Sequence, residues 1–218
     1  GGGAAGFYGA ITAATKNPSA QIVIFEATQQ LLEKVLISGG GRCNVTHHCF
    51  DPAELVKNYP RGHKELRGPF TRFQPRDTEE WFESRGVKLK IEGDGRMFPI
   101  TDDSRTIADC LINTARKHGI KIRLGERVKE IKCVQNDSAP SFEIECHGRP
   151  SEQFDRVLLA TGSAHQGYKF AEHLGHSIIP GVPSLFTFKI TDKRLDGLAG
   201  ISFTNVCLTM SDQSGNKL

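Results

Sequence analysis

Three glycines open the chain, as Gly1-Gly2-Gly3-Ala4-Ala5-Gly6, and positions 1, 3 and 6 fit the spacing GxGxxG. Each has a separate physical reason to be glycine. The first permits a tight turn, the second lets backbone come close to a diphosphate, and the third lets a helix pack against a strand. A helix starting there offers unpaired amides and the positive end of its dipole to an anion. The run Phe7-Tyr8-Gly9-Ala10-Ile11-Thr12-Ala13-Ala14 is small enough to pack closely as that helix. Residues 21–25 follow as a short apolar run suited to a buried parallel strand. Glu26 closes the run 23 residues after Gly3, where a carboxylate can bond a ribose hydroxyl and would repel a 2′-phosphate. The spacing points to a dinucleotide, FAD or NAD rather than NADP. The bland alternatives are a ligand-free glycine-rich terminus and a solvated acid at a strand end.

Other residues carry chemistry less securely. The segment Ser38-Gly39-Gly40-Gly41-Arg42-Cys43-Asn44 is a second glycine-rich stretch, in which Arg42 can neutralise a phosphate and the glycines let amides reach an anion. Cys43 has no partner at CxxC spacing, so a small residue in a tight turn is favoured over a redox thiol. His47 and His48 are adjacent on a loop without a companion acid or cysteine, and no metal is expected. His165 and His176 are read as solvated or helix-end histidines. The basic scatter Arg61, His63, Lys64, Arg67, Arg72 and Arg76, with Phe70 and Phe73 interleaved, is read as a solvated face over aromatic packing rather than an RNA contact.

The elements that would hold these residues alternate helix and strand. Glycines, a helix, a strand and an acid form the second half of a βαβ unit, so the chain is expected to begin where a first strand would end. Asp51 is expected to cap a short helix through Tyr59, and a further helix spans 77–84. A strand at 87–91 and a turn at 93–96 precede a longer amphipathic helix capped by Ser104, running to His118 with Ile107, Cys110, Leu111 and Ala115 on one face. From Ile120 the period becomes two, giving strands at 120–124, 128–134, 142–146 and 154–159, with a turn at 136–138. A helix at 167–174 and strand-like runs at 184–190 and 201–210 complete the pattern. The fold expected is α/β. A central parallel sheet with an antiparallel β section forms a nucleotide-binding domain over 1–185, and a β-rich second domain starts within 186–218.

Several motifs together resemble a bacterial-type flavoprotein family, the NAD(P)/FAD-dependent oxidoreductases that include bile-acid-reductase-like and aminoacetone-oxidase-like members. They are Leu36-Ile37 leading into Ser38 to Asn44 and Val45-Thr46; Asp94-Gly95-Arg96-Met97-Phe98-Pro99; Ala160-Thr161-Gly162; Gly167-Tyr168; Leu174-Gly175-His176; and Pro183-Ser184-Leu185. The resemblance runs from residue 1 to about 190. It implies a Rossmann-like FAD domain interrupted by a β-rich domain and a helical one, and completed by a later segment that this chain is expected to lack. It also implies that Gly1, Gly3, Ala4, Ala5 and Gly6 face the pyrophosphate and Glu26 the adenosine ribose. Ser38, Gly39, Gly41, Arg42, Cys43 and Asn44 would run toward the flavin, Val128 would offer its backbone to the adenine, and Thr161 and Gly162 would close the site.

Composition bounds the rest. Apolar residues at 38% and charged residues at 24% suit a globular protein rather than a disordered one. The net charge of +3, from 28 basic and 25 acidic side chains, is too even to suggest nucleic acid as the main partner. No polybasic run or long apolar stretch points to a membrane, and the glycine-rich start does not read as a signal peptide. Six scattered cysteines read as reduced thiols, which makes the cytoplasm the expected location. The expected function is hydride transfer between FAD and a nicotinamide cofactor or a small organic substrate. The alternatives are a nucleotide-binding module without turnover and a flavoprotein acting on RNA, which would need a basic groove.

Overall fold

The small-residue run behind the glycines forms helix α1 (Ala4–Lys16), whose buried face is Gly6, Phe7, Ala10, Ile11 and Ala14. Ala and Gly on that face let the helix lie close to its neighbours, so Phe7 and Ile11 are fully buried. Strand β1 (Val23–Phe25) follows and pairs in parallel with β5 (Lys121–Arg123), with Ile24 opposite Ile122. The computed structural model describes residues 1–135, 139–182, 190–198, 206–207, 209–212 and 214–217.

The intervening elements are α2 (Glu33–Gly41), β2 (Thr46–His47), α3 (Pro52–Leu55) with a 3₁₀ turn behind it, α4 (His63–Phe70), α5 (Pro75–Glu83), β3 (Leu89–Ile91), β4 (Arg96–Pro99) and α6 (Ser104–Lys117). After β5 come β6 (Val128–Val134), β7 (Ser141–Cys146), β8 (Glu152–Phe154) and α7 (His165–His173). Strands β2, β4 and β3 form one antiparallel sheet, and β6, β7 and β8 another, with a bulge between Val128 and Glu130. One apolar cluster joins α1, β1, the start of α2 and α6 through Phe7, Ile11, Ile24, Leu32, Ile107, Leu111, Ala115 and Ile120. The Rossmann arrangement is therefore a parallel pair covered by helices, with antiparallel sheets beside it.

The structure corrects several local expectations. Asp103, not Ser104, caps α6, since its carboxylate accepts from Arg105 N at 2.8 Å. The Ser104 hydroxyl instead donates to the Leu36 carbonyl at 2.8 Å and ties α6 to α2. The helix expected at 77–84 begins earlier, at Pro75, where proline suits the first turn and the Asp77 carboxylate reaches back to accept from Gln74 N at 2.7 Å. The strand expected at 154–159 is displaced: Phe154 is the last residue of β8, pairing with Phe142 of β7. Beyond it the chain leaves that sheet and runs past α1, with Leu158 over Gly9 and the Ala160 carbonyl against Gly1. Among the described residues that stretch has no ladder partner, and Leu158 is 64% exposed.

The chain divides into two compact units, Gly1–Ile178 and Ile179–Leu218. In the second, a 3₁₀ turn at Lys193–Leu195 is capped by Asp192, and Ser211 bridges Lys217. The expected turn at 136–138, the strand at 184–190 but for its last residue, the Pro183-Ser184-Leu185 motif and much of the strand at 201–210 lie outside the described residues. No described helix is long and apolar enough to cross a membrane.

Candidate dinucleotide site

Helix α1 begins without a side-chain cap, and Phe7 makes its first hydrogen bond, to the Gly3 carbonyl at 3.1 Å. Among the described residues the amides of Ala4, Ala5 and Gly6 have no protein acceptor, which leaves the helix mouth open to an anion. The three glycines of the motif differ in what surrounds them. A Cβ at Gly1 would stand 2.6 Å from the Ala160 carbonyl oxygen, and one at Gly6 would stand 1.9 Å from the Gly1 carbonyl oxygen. A Cβ at Gly3 would meet nothing within 4 Å. Gly1 and Gly6 are thus fixed by protein backbone, whereas Gly3 opens onto free space, as a backbone that approaches a ligand must.

Glu26 sits directly beneath this turn. Its Oε2 accepts from Gly2 N at 2.7 Å, and its Oε1 accepts from Thr28 N at 2.8 Å and from the Thr28 hydroxyl at 2.9 Å. Burial alone would push the carboxyl up, but these donors outweigh it and hold Glu26 below the ordinary carboxylate value. A carboxylate has about four acceptor sites, so capacity remains for a sugar hydroxyl. Glu126 N donates to the Glu26 carbonyl at 3.0 Å, which brings the start of β6, and with it Val128, to the same end of the site.

A second cradle is built at the end of α2. Its helix breaks at Ser38 (ψ 148°), and Gly39, Gly40 and Gly41 all have positive φ, at 57°, 70° and 85°. Only glycine takes such a run without strain. Gly39 is also sterically fixed, since a Cβ there would stand 2.8 Å from Phe98 Cε1 and 2.9 Å from Asn44 N. Leu32 N donates to the Gly2 carbonyl at 2.9 Å, so α2 links the two cradles. Arg42 stacks on Phe98 at 4.1 Å, bonds Glu92 at 2.5 Å and lies 3.6 Å from Asp102. The hairpin of β3 and β4 therefore takes up its charge. Asn44 is exposed. Thr161 packs its hydroxyl against Gly167, and Gly162 takes φ 60° beside Lys34.

Lys34 was not singled out from the sequence. Its Nζ donates to the Ser163 hydroxyl at 2.9 Å, placing an exposed cation beside Thr161 and Gly162. No local signal marks it, because its partner is distant in sequence.

Cys43 is buried and has φ 63°. Burial pushes its thiol up, and the nearby Ser38 hydroxyl only partly offsets this, so the neutral thiol prevails. Labelling with a thiol-reactive disulfide reagent near pH 8 is expected to modify exposed Cys133 and Cys207 first and buried Cys43 and Cys146 last. Mass spectrometry of timed samples reads the order. Early modification of Cys43 would mean that the turn opens in solution. Among the described residues no group of His, Cys, Asp and Glu could hold a metal.

A glycine turn at a helix mouth, a parallel strand pair and a carboxylate at the end of the first strand define a Rossmann-type nucleotide-binding domain. The chain belongs to the HI0933-like protein Rossmann domain family, whose profile matches residues 1–212. It is 32% identical, over 92% of its length, to the 3-dehydro-bile acid delta(4,6)-reductase of Clostridium scindens, and covers 49% of that protein. It is also similar to the ribosomal RNA dihydrouridine synthases of Haemophilus influenzae (29% identical, 93% of this chain, 51% of that one) and Escherichia coli (25%, 94% and 52%). The chain spans about half the length of these curated relatives.

Proposed function

We infer that the chain is the nucleotide-binding part of an FAD-dependent oxidoreductase, with a small organic substrate and NAD(P)H as the reaction partners and the cytoplasm as its location. The likeness to a bile-acid reductase supports the reaction class. The observation that carries the binding site is the pairing of an open Gly3 with Glu26 held ionised beneath it. The residues fit the cofactor: the α1 amides would hold the pyrophosphate, Glu26 the adenosine ribose, and the backbone around Val128 the adenine. The segments Ser38 to Asn44 and Thr161–Gly162 would lie toward the flavin. When bound, the flavin supplies hydride acceptance and donation. The protein's part is to orient it, to present backbone amides where negative charge collects, and to keep Cys43 neutral so that no thiolate competes.

An absorbance spectrum of the purified chain tests this directly. Flavin bands that bleach anaerobically with NAD(P)H support the oxidoreductase, and a colourless protein that binds only NAD or ADP supports the alternative of a non-catalytic module. Glu26 also predicts a preference at the ribose. ADP is expected to compete for the site at least about tenfold better than its 2′-phosphorylated analogue, because the added phosphate would face a carboxylate. Equal competition measured by calorimetry would remove Glu26 from the ribose.

A further inference from the structure

Arg42 is the one cation within the second cradle, Ser38 to Asn44, and its charge is already matched. Six groups stand in a chain of alternating sign. Lys90 pairs with Asp102, Asp102 lies 3.6 Å from Arg42, and Arg42 bonds Glu92 at 2.5 Å. Glu92 lies 3.5 Å from Arg96, which bonds Asp94 at 2.7 Å. Three cations thus face three acids, and Arg42 brings no surplus charge to a phosphate. Every member but Arg42 lies between residues 90 and 102, on or beside β3 and β4.

Single exposed pairs of this kind contribute little to stability. Here the guanidinium also lies over the Phe98 ring, 4.1 Å from its centre, and that ring is fully buried. The turn meets the same ring again at Gly39, where a Cβ would stand 2.8 Å from Phe98 Cε1. Gly39 and Arg42 therefore pinch one rigid side chain of β4. The backbone leaving the turn is fastened as well, since Val45 N donates to the Met97 carbonyl at 2.9 Å and Thr46 pairs with Met97. Between these fixed points the crown is open: a Cβ at Gly40 or Gly41 would meet nothing within 4 Å. A backbone held at both ends and open at its crown presents one shape to a ligand, which lowers the ordering cost of binding.

We propose that Arg42 is a positioning residue: through Phe98 and Glu92 it sets the shape of the Ser38–Cys43 turn that receives the flavin end of the cofactor, and it does not neutralise the diphosphate. This role rests on the flavin reading above. The phosphate contact expected of Arg42 from the sequence passes to the α1 amides. A phosphate contact would need only a positive charge at position 42. Positioning needs the planar guanidinium, which stacks and forks where an ammonium does neither.

Calorimetric titration of the full chain with FAD and, separately, with ADP tests this. Arg42→Gln and Glu92→Gln are each expected to weaken FAD at least about tenfold and to leave ADP within about twofold of the parent, because ADP lacks the half that the turn receives. Arg42→Lys is expected to behave like Arg42→Gln. A general loss of structure would weaken both ligands together, so the ratio of the two affinities isolates positioning. Without any ligand, the Cys43 thiol reports on the turn, and its labelling by the disulfide reagent is expected to quicken at least about tenfold in all three variants. The role is overturned if FAD affinity is unchanged, if ADP weakens as much as FAD, or if Arg42→Lys retains the parent's FAD affinity. Cys43 staying as protected as in the parent would overturn it equally. A parent that binds ADP but not FAD would sink the flavin reading instead, and the Cys43 rates would still decide whether Arg42 holds the turn.

Discussion

Replacing Gly3 with alanine is expected to leave the fold intact and to weaken FAD binding at least about tenfold, whereas replacing Gly6 with alanine is expected to unfold the turn itself. The contrast follows from what each missing side chain faces. At Gly6 the new Cβ would stand 1.9 Å from the Gly1 carbonyl oxygen, a backbone atom that cannot rotate away. Either the turn or the first coil of α1 must shift, and overpacking of this kind costs about 1–3 kcal/mol. At Gly3 the backbone is extended, with φ −92°, and the Cβ meets nothing within 4 Å. Alanine there is unstrained, and its methyl group occupies space that only a ligand would need. Urea unfolding and flavin titration of the two variants separate the effects. If Gly3→Ala retains both stability and full FAD affinity, the glycine turn does not hold a diphosphate.

What the sequence disclosed depended on how local each signal was. The glycine turn and Glu26 were legible because their chemistry fixes their spacing, and Asp51 was legible because a cap lies next to the helix it caps, accepting from Ala53 N at 2.8 Å. Asp103 and Ser104 offered two adjacent caps, and the choice was settled by the distant Leu36 carbonyl, which claims the Ser104 hydroxyl. Helix α4 was hidden by Gly68 and Pro69, both poor helix formers, and is held by Leu66 and Phe70 packing on one side. Strands β2 and β4 hold two and four residues, too few for a periodic signal, and exist through pairing, β2 with β4 and β4 also with β3. Leu158-Leu159-Ala160 has strand composition, but strand structure requires a hydrogen-bonding neighbour, and none is present among the described residues. At the candidate site the backbone devices were readable, whereas the Arg42 clamp on Glu92 and the reach of Lys34 to Ser163 needed the fold to bring remote residues together.

Glu26→Gln is expected to lower stability by about 1–3 kcal/mol at neutral pH and to weaken FAD binding by about tenfold or more. The amide has one acceptor atom where the carboxylate has two, and both carboxylate oxygens are in use, on Gly2 N and on Thr28. One of these donors must lose its partner, and the glycine turn loosens if it is Gly2. The pH dependence has a definite sign. Because the donors hold the folded-state carboxyl below its ordinary value of 4.5, its contribution is fully present above that value. It is lost as the pH falls through the lower folded-state value, where the proton finally binds. The stability gap between the parent and Glu26→Gln is therefore expected to be constant near neutrality and to close in acid, as the protonated parent comes to resemble the amide. Urea unfolding of both proteins across this range measures the gap, and a gap that widens in acid would show that Glu26 is not held ionised by the turn.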